Sequence, residues 1–114
     1  MIPVFAPGTE IASSIWSDIA TFLPDALYEY YGDKTALAEY FPMMKDWVDW
    51  ITEQDKARGQ KYLYDFGNQL GDWLALDGRT EQSMEGGTDE YFIGSCYYSM
   101  SVKKVARAAE ILGY

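Results

Sequence analysis

The chain has 114 residues, 48% of them hydrophobic, which bounds it to one globular unit with room for a single core. Its formal net charge is −9 with an isoelectric point near 4.2, and its nine Lys and Arg residues are scattered rather than gathered into a stripe, which argues against nucleic acid as a partner. With one cysteine, Cys96, and no histidine, neither an intrachain disulfide nor a zinc or copper site of the usual ligands can be assembled, and no metal or cofactor is expected.

The opening stretch MIPVFAPGTEI lacks a basic segment followed by an apolar run, and nowhere does the chain approach the ~18 apolar residues of a membrane span, so no membrane segment is expected. Pro3, Pro7, Gly8 and the Ser13-Ser14 pair make residues 1 to 15 an extended arm or loop. Ser17 or Asp18 then caps a first helix, whose apolar positions Ile19, Phe22, Leu23, Ala26, Leu27 and Tyr30 follow a spacing of three and four up to Gly32. Pro24 predicts a kink near residues 20 to 24. In the next segment Leu37, Tyr40, Phe41, Met44, Trp47, Val48 and Ile51 mark a second apolar face that Pro42 interrupts. The expected arrangement is a short helical turn over 34 to 40, then a helix over 42 to 57 with Pro42 in its first turn, closed by Gly59.

From 59 to 88 the period dissolves into Gly, Asp, Asn, Gln and Thr punctuated by aromatics. A connection of this length is usually functional or disordered, and Tyr62, Tyr64, Phe66, Leu70, Trp73 and Leu74 are too apolar for disorder throughout. Residues 61 to 77 therefore read as an ordered aromatic loop and 79 to 87 as its mobile part. Thr88 or Asp89 caps a third helix, with Phe92, Ile93, Cys96, Tyr97, Met100, Val105, Ala108, Ala109 and Leu112 on its expected buried side and Gly113 after its end. No run alternates as a strand should, so the class is all-α: about three helices, arranged as helical hairpins whose long loops gather at one end. Their wide apolar faces and an aromatic share of 17% fit part of something larger better than a closed bundle.

Several word-like stretches follow one another in order: W-x-D at Trp16 to Asp18 opening a proline-bearing helix, YEYYGD closing it, YFPMMKDWVDWI after it, then GDWLALDG and YYSMSVKKVARAAEILG. In this series, from about residue 3 to 113, the chain resembles the central part of the catalytic domain of bacterial α-L-rhamnosidases, glycoside hydrolase family 78. The resemblance implies that residues 1-114 are a single fragment of an (α/α)6 barrel. It also implies inverting hydrolysis of terminal α-L-rhamnosyl groups, in which two carboxyl groups about 6.5–9.5 Å apart act as acid and base. By the same resemblance Trp16, Asp18, Asp72 and Trp73 line the sugar pocket. An indole covers the apolar side of a deoxy sugar, and an aspartate accepts from its hydroxyls. The family's general acid lies in an Arg- and Glu-rich motif upstream of W-x-D and its general base well downstream. Neither motif occurs in this chain, so it is expected to contribute pocket wall, with a rhamnosyl carbohydrate as partner, and no catalytic residue.

Each of these residues also has a plainer reading. Trp16 serves as a core anchor and Asp18 as a helix cap, while Asp33 and Asp77 are cap and turn residues. Trp47 and Trp50 pack between helices, Asp46, Asp49, Glu53 and Asp55 form a solvated acidic face, and Cys96 is an inert small hydrophobe on the buried side. Two other functions compete: a small all-α protein-interaction module, and a fragment of another (α/α)6 glycosidase. Exposed faces on an excised helical piece predict self-association through Trp47, Met44 and Val105.

Overall fold

The computed structural model describes residues 12–78 and 80–114, and they fold as α1 (Ile19–Tyr31), α2 (Lys34–Ala57) and α3 (Glu90–Leu112), with no strand among the described residues. The arm expected over residues 1 to 15 lies mostly outside them. Each helix packs on both others. Gly32, at φ 67°, adopts the left-handed conformation that ends α1, its N–H donating to the Tyr28 carbonyl at 2.8 Å. Asp33 follows at once and caps α2 by accepting from the Thr35 N–H at 2.8 Å. A cap on each side of the Gly-Asp dipeptide is what makes so short a link between α1 and α2 sufficient. At the other end of the chain Asp89 caps α3 through the Phe92 N–H at 2.8 Å, and Gly113, at φ 79°, closes it.

The structure corrects four expectations. The segment expected as a turn and a separate helix is one helix, continuous from Lys34 to Ala57 across Pro42. Pro42 and Ala38 both lie on the exposed side, so the carbonyl left without its N–H partner faces water. Leu37, Met44, Val48, Ile51 and Asp55 meanwhile form one buried stripe that spans the proline, and packing of that stripe overrides the local break.

In α1 the face set inward is not the apolar one. Ala20, Thr21, Pro24 and Asp25 are buried, whereas Ile19 is 53% exposed, Leu23 51% and Tyr30 83%. On α3 the buried residues are Gly94, Tyr98, Ser101 and Ala108, while Phe92, Cys96 and Met100 are exposed. The cause is a polar seam between the two helices. Thr21 Oγ1 and Ser101 Oγ lie 2.8 Å apart, and Asp25 takes Lys104 Nζ at 2.5 Å and Arg107 at 3.0 Å. A buried carboxylate without such partners would be strongly destabilising, so the seam fixes which way α1 faces.

The third correction concerns Asp55, expected on the solvated acidic face. It is 3% exposed, and its carboxylate accepts from the Lys61 and Tyr62 N–H groups at 3.1 and 2.9 Å. The chain leaves α2 by turning around this side chain, with Gln60 and Tyr62 held at φ 55° and 62°. The core then divides in two. Trp47, Val48 and Ile51 meet Tyr64, Phe66 and Tyr98 at the end where the long connection folds back, while Leu37, Met44 and Ala108 pack at the other. Trp47 and Met44, expected to pack against other copies of the chain, are 1% and 0% exposed and serve this core instead.

Candidate functional site

The long connection between α2 and α3 is ordered from its base by aromatic packing. Trp47 and Trp50 stack at 5.5 Å, Tyr64 and Phe66 set their rings against them, and Arg58 lies 4.3 Å over Phe66. Tyr64 also donates its backbone N–H to Ser95 Oγ at 3.1 Å, which binds the loop to α3. Gly94 lets the loop approach α3 closely there, since a Cβ would stand 3.0 Å from the Tyr64 carbonyl, a tight contact that the loop would have to yield to.

Beyond Phe66 the loop meets the turn that precedes α1. Gln69, buried, accepts from the Ser14 N–H at 2.8 Å through Oε1 and donates to the Phe66 carbonyl through Nε2. Ser13 Oγ accepts from the Leu70 N–H at 3.0 Å. These bonds bring residues 13–14 and 69–70 to one junction, and the two tryptophan–aspartate pairs follow two to four residues further along each segment: Trp16 with Asp18, and Asp72 with Trp73.

The four residues stand in different surroundings. Trp16 is half-buried and follows a three-residue turn in which its N–H donates to the Ser14 carbonyl at 2.9 Å around Ile15 at φ 71°. A β-branched residue in the left-handed region, at the centre of a turn of this kind, costs about 1–3 kcal/mol and persists only where its surroundings enforce it. Trp73 is 40% exposed and is followed by Leu74 at φ 63°.

Asp18 was expected either as a helix cap or at the sugar hydroxyls. It makes no side-chain cap bond, and at 1% exposure its carboxylate is closed off by the protein: Oδ1 accepts from Trp47 Nε1 at 2.8 Å and Ser101 Oγ at 2.6 Å, Oδ2 from the Ile15 N–H at 2.8 Å. Asp72 is half-buried and accepts from the Thr88 N–H at 3.3 Å. Burial pushes its carboxyl upward, but hydrogen bonds from Thr88 and the Gly86 backbone outweigh it and hold the group below its ordinary value of 3.8. Asp72 is therefore an anion that closes the loop from 72 to 88. Within that loop the Leu74 N–H reaches the Met84 carbonyl at 2.6 Å and Thr80 accepts from the Ser83 N–H at 3.0 Å.

Trp47, expected only to pack, and Ser101 and Thr21, not expected at the site, complete the arrangement. The signal for them was present as polar residues at 18, 21 and 25, spaced as one helical face, but an apolar-face reading of α1 passes over it. Tyr97 is half-buried and tilts against Phe22 at 5.7 Å, and Tyr98 is buried with its hydroxyl 2.7 Å from Thr52 Oγ1, so the pair divides between surface and core. Among the described residues no cluster of acids, cysteine and histidine has metal-binding geometry.

Comparison with known proteins gives one consistent result. The family model described as the bacterial alpha-L-rhamnosidase 6 hairpin glycosidase domain matches residues 1–114. A protein named alpha-L-rhamnosidase from Alteromonas sp. (strain LOR) is 29% identical over 99% of this chain and 12% of its own length. One of the same name from Formosa agariphila is 32% identical over 89% of this chain and 10% of its own length. A third, from Streptomyces avermitilis, is 28% identical over 86% of this chain and 8% of its own length. The chain thus spans 12% or less of these relatives. No solved structure gives a significant match.

Proposed function

The chain belongs to the bacterial α-L-rhamnosidase six-hairpin glycosidase domain family, and from that premise we propose that it forms part of the sugar-binding wall of an enzyme that hydrolyses terminal α-L-rhamnosyl groups. The observation that carries this reading is the junction of residues 13–14 with 69–70, shortly after which Trp16 and Trp73 both follow, with Trp73 40% exposed. Two indoles carried on segments that meet at one junction suit a deoxy sugar, whose methyl group and apolar ring face offer area for stacking. Asp72, ionised and half-buried beside Trp73, is the carboxylate best placed to accept from a hydroxyl.

The general acid and base are supplied from outside these residues. Asp18, Asp25 and Asp55 are buried with internal partners, which leaves none of them able to protonate a leaving oxygen or activate water. The reaction is inverting in this reading, with a water between two carboxyl groups about 6.5–9.5 Å apart. Assay of the longest reading frame containing this chain on an aryl α-L-rhamnoside tests it. Release of the aryl alcohol with β-L-rhamnose as the first anomer is the expected result, and the 114-residue chain by itself is expected to be inactive. Turnover by the isolated chain, or retention of the α anomer, would remove the corresponding part of the reading.

The apolar side of α1 supports a further statement about assembly. Ile19, Leu23 and Leu27 line a groove of about 230 Å³ with Tyr40 and Met43 of α2, a surface that protein covers in a stable assembly. Isolated from its neighbours, the chain self-associates through this face.

A further inference from the structure

We propose that Asp18 is a positioning residue for Trp16, setting where the indole lies by stabilising the strained turn before it; this rests on the reading of Trp16 as a sugar contact. The carboxylate gathers three parts of the molecule at one point. Oδ1 receives Trp47 Nε1 from α2 and Ser101 Oγ from α3, and Oδ2 receives the N–H of Ile15, the residue at φ 71° immediately before Trp16. Ser101 is in turn fixed by Thr21 Oγ1 of α1 at 2.8 Å, and Thr21 Oγ1 lies 3.0 Å from the Asp18 carbonyl. The Ile15 N–H is therefore aimed by a carboxylate that is itself held from α2 and α3, and the direction in which the chain enters Trp16 is set by that bond.

Asparagine at this position has the right shape but the wrong hydrogen-bond pattern. One end of its amide can accept, so either the Trp47 and Ser101 donors or the Ile15 N–H must face an NH2 group. Loss of either end frees the turn to relax toward an ordinary conformation, and Trp16 moves with it.

The test uses the full-length enzyme proposed above, labelled with 5-fluorotryptophan, as wild type and as the Asp18→Asn, Ser101→Ala, Trp16→Ala and Asp18→Asn/Trp16→Ala variants. The fluorine resonance missing in Trp16→Ala identifies that ring. In Asp18→Asn the Trp16 resonance is expected to move or broaden without sugar, and L-rhamnose binding to weaken about tenfold. The double variant is expected to bind no more weakly than Trp16→Ala, because Asp18 acts through Trp16. Ser101→Ala, which removes one donor to the carboxylate, moves the same resonance in the same direction by less, and decides the matter if Asp18→Asn does not fold. A Trp16 resonance unmoved in the folded variants, or a double variant whose loss is the product of the two single losses, overturns the proposal. Sugar binding unchanged in Trp16→Ala would instead overturn the role of Trp16 in the pocket, while the sugar-free fluorine shift still reports whether Asp18 positions it.

Discussion

Tyr64 carries its hydroxyl into the aromatic core at 1% exposure, beside Gln69 but without a well-formed hydrogen bond. Burial pushes its ionisation up from 10.0 to about 12. Below pH about 10 the folded and unfolded chains both keep the proton, and the contribution to stability is fully present. As pH rises through the window from about 10 to about 12 the unfolded chain loses the proton first, so stability falls by about 2–3 kcal/mol. Tyr64→Phe is expected to remove that part of the alkaline loss. At neutral pH it should leave stability unchanged or raise it by up to about 1 kcal/mol, since an unpaired buried hydroxyl is removed with little change of shape. Denaturant titrations of both proteins at neutral and alkaline pH measure the difference, and parallel alkaline losses in the two would show that Tyr64 does not ionise with a cost to the fold.

Two substitutions address how whole elements are held. Pro42 sits inside a continuous α2 on its exposed side, where it removes one helical hydrogen bond. Pro42→Ala restores that bond at the expense of a looser unfolded chain, and a net gain of about 1–2 kcal/mol is expected in the denaturation midpoint. No gain would mean that the helix is adapted around the proline. In the loop from 72 to 88, a Cβ on Gly86 would overlap the Asp72 carboxylate, so Gly86→Ala must push Asp72 away from the Thr88 N–H. A loss of about 1–3 kcal/mol and faster proteolytic cleavage between 72 and 88 are expected, with α2 and α3 still helical by circular dichroism. Slow cleavage equal to that of the parent would show that the loop does not depend on Asp72.

At the scale of the molecule, three helices enclose a core that is only partly closed. The radius of gyration is 15.2 Å, against about 13 Å for a compact domain of this length. Besides the open groove of α1 and α2, Tyr31 at 78% exposure and Phe92 at 65% are apolar surface facing outward. The isolated 114-residue chain is expected to bind an apolar-surface dye and to sediment as more than a monomer at tens of micromolar. Leu23→Glu, in the groove, should reduce both. A dye-silent monomer would show that the open face is tolerated in water.

The sequence by itself determined the all-α class, most of the helix ends and the family. Capping residues at Asp33 and Asp89 and left-handed glycines at 32 and 113 are local signals, and α1 ends, α2 begins and α3 begins and ends where those signals stand. The paired Trp and Asp motifs were legible for the same reason, as short words whose order is preserved in the chain. Only the tertiary structure decided which face of each helix turns inward. Periodicity identifies an apolar stripe but not what covers it. Here Asp18, Thr21 and Asp25 demanded partners on α3 more strongly than Ile19 and Leu23 demanded burial, since an unpaired buried carboxylate is far more costly than an exposed leucine. The same contest enclosed Asp18 and left Cys96 outside, because hydrogen-bond donors that arrive from distant parts of the chain, Trp47 and Ser101, have no mark in the local sequence.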